Sequence, residues 1–355
     1  MKPQALIFCF TWHVGNQKFC ETTDRFREDR NSRKLSSTFS GSCTLGAFAD
    51  TLATKITSAP ERASLVCVTT TGSNNHVSTL HTQLLADKLG GISYLKHSHE
   101  TVRNGSGKYV ASSIFVRSDL VPAYQQGNAM MSKKLGNNYS RTFSYSNSDK
   151  VLAAAVATYV KHPRYGSTAI VSANIRVTPK VLPDQMKMEI DTCMNSMINK
   201  LCRGSPKPDR YIIMGDLGSE IMNLHDYQSI SDMHSHDIIG NYIKHNSISN
   251  PSDPDHVLSE GVDNRGPTFP PTGDIKMDHG ARVALVQDTY VRDNYTSTSW
   301  SDRVLIGSNA TNSKPDKKLH QVCARYEAFD DHSMRGSPRC AVTAFISLRR
   351  KKKKD

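Results

Sequence analysis

The sequence predicts an α/β domain, and three observations predict it. Short runs of β-branched and other apolar residues recur along the chain, among them 6–14, 64–70, 109–117, 152–160, 167–177 and 211–217. Between several of these runs the apolar residues return at helical spacing. No clear linker interrupts the succession, so one domain, residues 1–348, is expected, followed by a basic tail, 349–355.

Taken in order, 6–14 is apolar and short, the form of a buried strand. Residues 22–40 are rich in Arg, Asp and Ser and read as a loop. Leu45, Phe48, Ala49, Leu52 and Ile56 share one helical face, with Ser42 or Thr44 available to cap it. Strand 64–70 follows, then a helix carrying Leu80, Leu84, Leu85 and Leu89 that Gly90-Gly91 closes. Strands are expected at 109–117, 152–160 and 167–177. A helix over 185–202 carries Ile190, Cys193, Met194, Met197, Ile198 and Leu201 on one face. Its methionines, Met186 and Met188 included, are read as core packing. Pro206 and Pro208 end that unit before strand 211–217. Residues 218–267 are polar and irregular, and 238–244 could hold a helix. Late strands are expected at 281–286, 301–306 and 340–348.

Composition narrows the function classes. With 37% hydrophobic and 22% charged residues the chain is ordinary for a globular protein, not a disordered one. No stretch approaches the length of a membrane span. The eight cysteines form no C-x-x-C pair and are read as reduced thiols, so a zinc ribbon or redox motif is not expected. The net charge of +12 favours an anionic partner, whether a phosphorylated small molecule, a lipid headgroup or nucleic acid. Part of that charge is the run from Arg349 to Lys354, which reads equally as a solvated tail, a nuclear signal or a contact for an anionic membrane surface. The loop histidines His225, His234 and His236 are read as solvated side chains rather than zinc ligands.

Four segments place polar residues in or just past a strand or rigid turn, where side chains can project into a cleft. Tyr211 to Leu217 ends on Gly215-Asp216, a carboxylate that can hold a metal or accept a proton from water. Trp300-Ser301-Asp302-Arg303 places Asp302 and Arg303 on opposite faces of a strand. Asp330-Asp331-His332 offers adjacent groups for a metal or a phosphate. Phe269-Pro270-Pro271-Thr272 fixes a turn.

Together with Thr11-Trp12-His13-Val14, and in this order along the chain, these segments resemble the inositol polyphosphate 5-phosphatase branch of the endonuclease/exonuclease/phosphatase superfamily. That family carries Thr-Trp-Asn-Val, Gly-Asp-Leu-Asn, Phe-Pro-Pro-Thr-Tyr-Lys, Trp-Cys-Asp-Arg-Ile-Leu and Ser-Asp-His. The resemblance implies a DNase I-like, four-layer sandwich: two packed, mostly antiparallel β-sheets flanked by helices, with a cleft at one end. It implies a metal-dependent phosphatase acting on a phosphate monoester of an inositol phosphate or phosphoinositide, with Mg²⁺ or Mn²⁺ as cofactor, in the cytoplasm or at a membrane periphery. No stable nucleic-acid partner is expected. Carried over residue by residue, Asp216 orients or deprotonates water, His332 contacts the scissile phosphate, and Asp302 steadies that imidazole. Asp331 and His13 are the candidate metal ligands. Asn174 and Arg303 are the candidate substrate contacts.

The departures are specific. His13 stands where the family has Asn, Asn174 where it has His, and Gly218 where it has Asn. No acid lies near Thr71-Gly72, where the family's metal-binding Glu should fall. Gly273-Asp274 replaces Tyr-Lys after the Phe-Pro-Pro-Thr turn. Two alternatives therefore stay open beside the phosphatase: a catalytically impaired protein that binds phosphorylated ligands, and a nuclease of the same superfamily.

Overall fold

The computed structural model describes residues 5–15, 45–59, 61–72, 85–103, 108–122, 140–147, 151–162, 165–177, 188–200 in part, 208–218, 237, 240, 257–273, 275, 277–278, 281–282, 300–308, 319–331, 334, 337 and 339–350. In chain order the elements are β1 (Ala5–Gly15), α1 (Leu45–Thr57), β2 (Leu65–Gly72), α2 (Leu85–Gly91), β3 (Tyr94–Arg103), β4 (Tyr109–Arg117), β5 (Ser140–Asn147), β6 (Val151–His162) and β7 (Gly166–Val177). After these come β8 (Arg210–Asp216), β9 (Val257–Glu260), β10 (Met277–Asp278), β11 (Ala281–Arg282), β12 (Asp302–Ser308), β13 (Leu319–Phe329) and β14 (Ala341–Arg350).

Two six-stranded sheets face each other. The first runs β13-β14-β1-β2-β4-β3 and the second β5-β6-β7-β8-β12-β9. Each is antiparallel except for one central parallel pair, β1 with β2 and β7 with β8. Alternation along β1 shows how the sequence builds the layers. Leu6, Phe8, Phe10, Trp12 and Val14 face outward and pack with Phe48 and Leu52 of α1 and with Leu85 and Leu89 of α2. Ile7 and Cys9 face inward and join Cys67, Ile114, Ile170, Ile212, Val304 and Ile346 between the sheets. On the far side Cys193, Met194 and Met197, at helical spacing, cover Val171, Ala173, Ile213 and Leu305. The result is helix, sheet, sheet, helix: the four-layer, mostly antiparallel sandwich expected. Large aromatic side chains such as Phe8 and Phe10 are wholly buried; truncating one to Ala would cost about 3–5 kcal/mol.

The eight interior strands are among the nine expected from the sequence, with ends shifted by at most two residues. Within the two six-stranded sheets four strands were not expected, β3, β5, β9 and β13, and they are the four sheet edges. An edge strand is half solvated and need not be apolar. β3 reads YLKHSHETVR and is mostly exposed or half-buried. In β13 a register shift between Cys323 and Arg325 breaks the alternation.

Other differences are local. Of the expected strand 281–286 only Ala281 and Arg282 are described; they form β11, which pairs with β10. Arg349 and Arg350, assigned to the tail from their charge, are the last rungs of β14 opposite His320 and Leu319. Met188 is 66% exposed and does not pack in the core. The expected loop 22–40, the 238–244 helix apart from Gly240, and His225, His234 and His236 lie outside the described residues.

Candidate functional site

The space between the sheets changes character along its length. Inward positions on β1 run Ile7, Cys9, Thr11, His13, and those on β2 run Leu65, Cys67, Thr69, Thr71. Those on β7 run Ile170, Ser172, Asn174, and those on β8 run Ile212, Met214, Asp216. The apolar half is core. The polar half converges at the C-terminal ends of β1, β2, β7 and β8, where Thr69 Oγ1 lies 2.6 Å from Ser172 Oγ and Ser172 donates to Ser112 at 2.8 Å.

Asp216 sits at the centre of that end. Gly215 makes its position possible: φ is +139°, and a Cβ there would lie 1.8 Å from the Ala173 carbonyl oxygen. The close approach of β8 to β7 sets Asp216 opposite Asn174, whose amide donates to Asp216 Oδ2 at 3.3 Å. The same oxygen lies 2.9 Å from His13 Nδ1 and 3.1 Å from Arg339 Nη1. The Gly218 N–H donates to Oδ1 at 3.3 Å, from a residue at φ +66°. Burial alone would raise the Asp216 carboxyl, but Arg339, His13 and that N–H outweigh it and hold it well below the usual carboxylate range.

His13 is pulled the other way. Burial and the neighbouring Arg339 lower its pKa, and Asp216 only partly opposes them, so the imidazole is neutral near pH 7. Its Nδ1 carries the proton, because the Asp216 carboxylate beside it can only accept. Thr71 Oγ1 lies 2.9 Å from the same nitrogen. Asp302 is Asp216's cross-strand neighbour. It accepts from the Thr11 hydroxyl and the His13 N–H, each at 3.1 Å. Burial, reinforced by the Asp216 charge, pushes its carboxyl up to about 7.

Cations gather around this carboxylate. Arg339 is placed by its backbone: Trp12 Nε1 donates to its carbonyl at 3.1 Å, and its own N–H donates to Ser337 Oγ at 3.2 Å. Next to it, Cys340 N–H donates to the Thr272 carbonyl at 2.8 Å. Lys108 enters from the start of β4 and Arg176 from the end of β7, two residues past Asn174 and on the same strand face. Lys108 is within electrostatic reach of Arg176, Arg339 and Asp216; burial and the two guanidinium groups lower its pKa.

The structure brings some of the residues singled out from the sequence together and not others. Asp216, Asp302, His13 and Asn174 share one hydrogen-bonded cluster. Arg303 points the other way: it is wholly buried between Asp237 at 2.5 Å and Glu260 at 2.7 Å, so its charge is committed inside the protein and does not reach a substrate. Asp331 accepts from Thr51 of α1 at 3.3 Å, on the outer face of the first sheet. His332 lies outside the described residues. Asp302, expected to steady it, is turned toward Thr11 and the His13 backbone. Lys108, Arg176 and Arg339 were missed. Each belongs to a segment without a motif, and only the paired sheets bring them together.

The described donors do not fit the implied divalent cation. Among the described residues no three His, Cys, Asp or Glu side chains are grouped to hold a metal ion. Asp216 already carries a guanidinium, and Asp302 is held toward its neutral form. A hard divalent ion wants charged oxygen ligands, not three protein cations.

No protein-family model matches the chain, and no curated protein sequence matches it. Solved structures do match in fold. One is the inositol polyphosphate 5-phosphatase domain of SPsynaptojanin in complex with inositol (1,4)-bisphosphate and calcium ion, with a TM-score of 0.57 and 13% identity, covering 97% of this chain and 84% of that one. Another is a Cimex nitrophorin ferrous NO complex, with a TM-score of 0.56 and 12% identity, covering 97% of this chain and 98% of that one. The chain therefore has the DNase I-like fold, a scaffold shared by a phosphatase domain and a protein solved with NO.

Proposed function

We propose that this chain binds a phosphorylated small molecule at the polar end of the sandwich and does not hydrolyse it efficiently. The observation that carries the proposal is Arg339 paired to Asp216 at the strand ends, with Lys108 within electrostatic reach of Arg339, Arg176 and Asp216. Clustered cations repel one another, and an anion relieves that repulsion. Guanidinium groups suit phosphate because their N–H fork matches its oxygens. The inositol bisphosphate found with the SPsynaptojanin domain makes an inositol phosphate the first ligand to try. The fold alone does not supply the chemistry, since function resides in the site.

Turnover is disfavoured by the state of Asp216. A general base works best with a pKa near the working pH. Asp216 is held far below that by Arg339 and His13. The test is calorimetric titration with inositol (1,4)-bisphosphate, alongside a phosphate-release assay with and without Mg²⁺. Binding without phosphate release is expected. Phosphate release that Asp216→Asn abolishes would restore the phosphatase reading and refute this one.

A further inference from the structure

Asp216 is the one acid of the site that is firmly ionised, and a protein cation already occupies it. Arg339 Nη1 is 3.1 Å from Asp216 Oδ2, and the arginine side chain is 20% exposed. It is therefore neither a solvated surface group nor a fully enclosed ion pair. The residue is fixed from both ends. Trp12 holds its carbonyl, and Ser337, which donates to the His13 carbonyl at 2.9 Å, holds its N–H. An arginine carries five N–H donors in a planar fork, and Lys108 is within electrostatic reach of this one, of Arg176 and of Asp216.

We propose that Arg339 stands in for a divalent cation: anchored on Asp216, it binds a phosphoryl-type anion directly, with Lys108 and Arg176, and no metal is needed. The inference rests on the binding function proposed above and goes beyond it by naming the resident cation. Asp216 becomes a positioning residue. Its carboxylate holds one edge of the guanidinium, and the Asn174 amide and Gly218 N–H hold the carboxylate. His13 completes the support through Nδ1. A divalent ion brought to Asp216 would have to displace a fixed guanidinium and would face two further positive charges. The same arrangement attracts an anion.

The experiment titrates inositol (1,4)-bisphosphate, and separately inorganic phosphate, into the full chain in EDTA and in Mg²⁺. Mn²⁺ binding is followed by electron paramagnetic resonance. Expected are equal affinities in EDTA and Mg²⁺, no Mn²⁺ bound by the wild type, and a loss of at least about tenfold in affinity for Arg339→Ala. Arg339→Lys keeps a charge but loses the fork, so it should fall between the two. It also serves if the alanine variant does not fold, which thermal unfolding reports. Binding that appears only with Mg²⁺ overturns this inference and leaves the ligand-binding function standing. Binding in EDTA that neither Arg339 variant weakens also overturns it, because the anion then sits elsewhere. Absence of binding in both buffers overturns both proposals.

Discussion

Replacing Arg303 by Met should destabilise the protein strongly, and more so as pH rises. Arg303 is wholly buried, 2.5 Å from Asp237 and 2.7 Å from Glu260. Tyr326 also donates to Glu260 at 2.7 Å, and Arg303 Nε donates to the Trp300 carbonyl at 2.7 Å. Removing the cation leaves two buried carboxylates without their counter-charge, a change that costs about 3–5 kcal/mol when a single buried pair is broken. At roughly 2.1 cal/mol/K per residue, unfolding 355 residues carries about 0.75 kcal/mol/K, so a loss of about 4 kcal/mol lowers Tm by about 5 °C. The pH dependence follows from the carboxylates. Burial raises Glu260 even with Arg303 opposing it. Without Arg303 the folded state holds that proton more tightly, so folded stability falls as pH rises through the carboxylate range. Urea and thermal unfolding at pH 4.5 and pH 8 measure both effects. A gap below about 1 kcal/mol at pH 8, or one that does not change with pH, would refute the argument. Adding Glu260→Gln and Asp237→Asn to Arg303→Met should recover most of the loss, because burying neutral groups carries a smaller desolvation cost.

Two further outcomes are expected. Gly215→Ala should cost several kcal/mol or prevent folding, since its Cβ would lie 1.8 Å from the Ala173 carbonyl oxygen at φ +139°; an unchanged Tm would contradict the close β7–β8 approach. Asp302→Asn should gain stability relative to wild type between pH 4 and pH 7. The folded carboxyl titrates at about 7 against an ordinary 3.8, so the wild type loses stability across that window, by roughly 4 kcal/mol at most, while the neutral amide does not. Urea unfolding at several pH values reads that slope, and parallel curves for the two proteins would count against a raised Asp302.

How much was legible in the sequence follows from burial. A strand covered on both faces must be apolar, and all eight interior strands carry runs that say so. The edges β3, β5, β9 and β13 are not bound by that constraint, and their polar or irregular sequences carried no signal. The site divides the same way. Asp216 and Asp302 follow or begin apolar strands and could be picked out. Arg339 sits beside β14, 123 residues from the Asp216 it pairs with, and no local pattern marks it. Arg303 misled for the opposite reason. Adjacent to Asp302 in sequence, it faces the other side of the strand by simple alternation, into the Asp237–Glu260 pair.

The segments that resemble the phosphatase family and those that depart from it do different physical work. Several of the resembling side chains bind backbone. Trp12 Nε1 donates to the Arg339 carbonyl, Trp300 Nε1 to the Phe269 carbonyl at 2.9 Å, and Arg303 to the Trp300 carbonyl. The Thr272 carbonyl in turn receives the Cys340 N–H. Such contacts fix loops against strands whatever ligand the cleft holds. The departures, His13, Thr71 and Asn174, are inward-facing ends of strands and touch Asp216 or each other. A metal site needs a dense set of oxygen donors there; this chain supplies an imidazole, a hydroxyl and an amide, which settle one carboxylate against one guanidinium. The motif order therefore carries information about how the sandwich closes, while the chemistry depends on the few side chains aimed into its polar end. An Arg339 variant alters that end without replacing any motif residue, which is why its effect on anion binding separates inherited scaffold from present function.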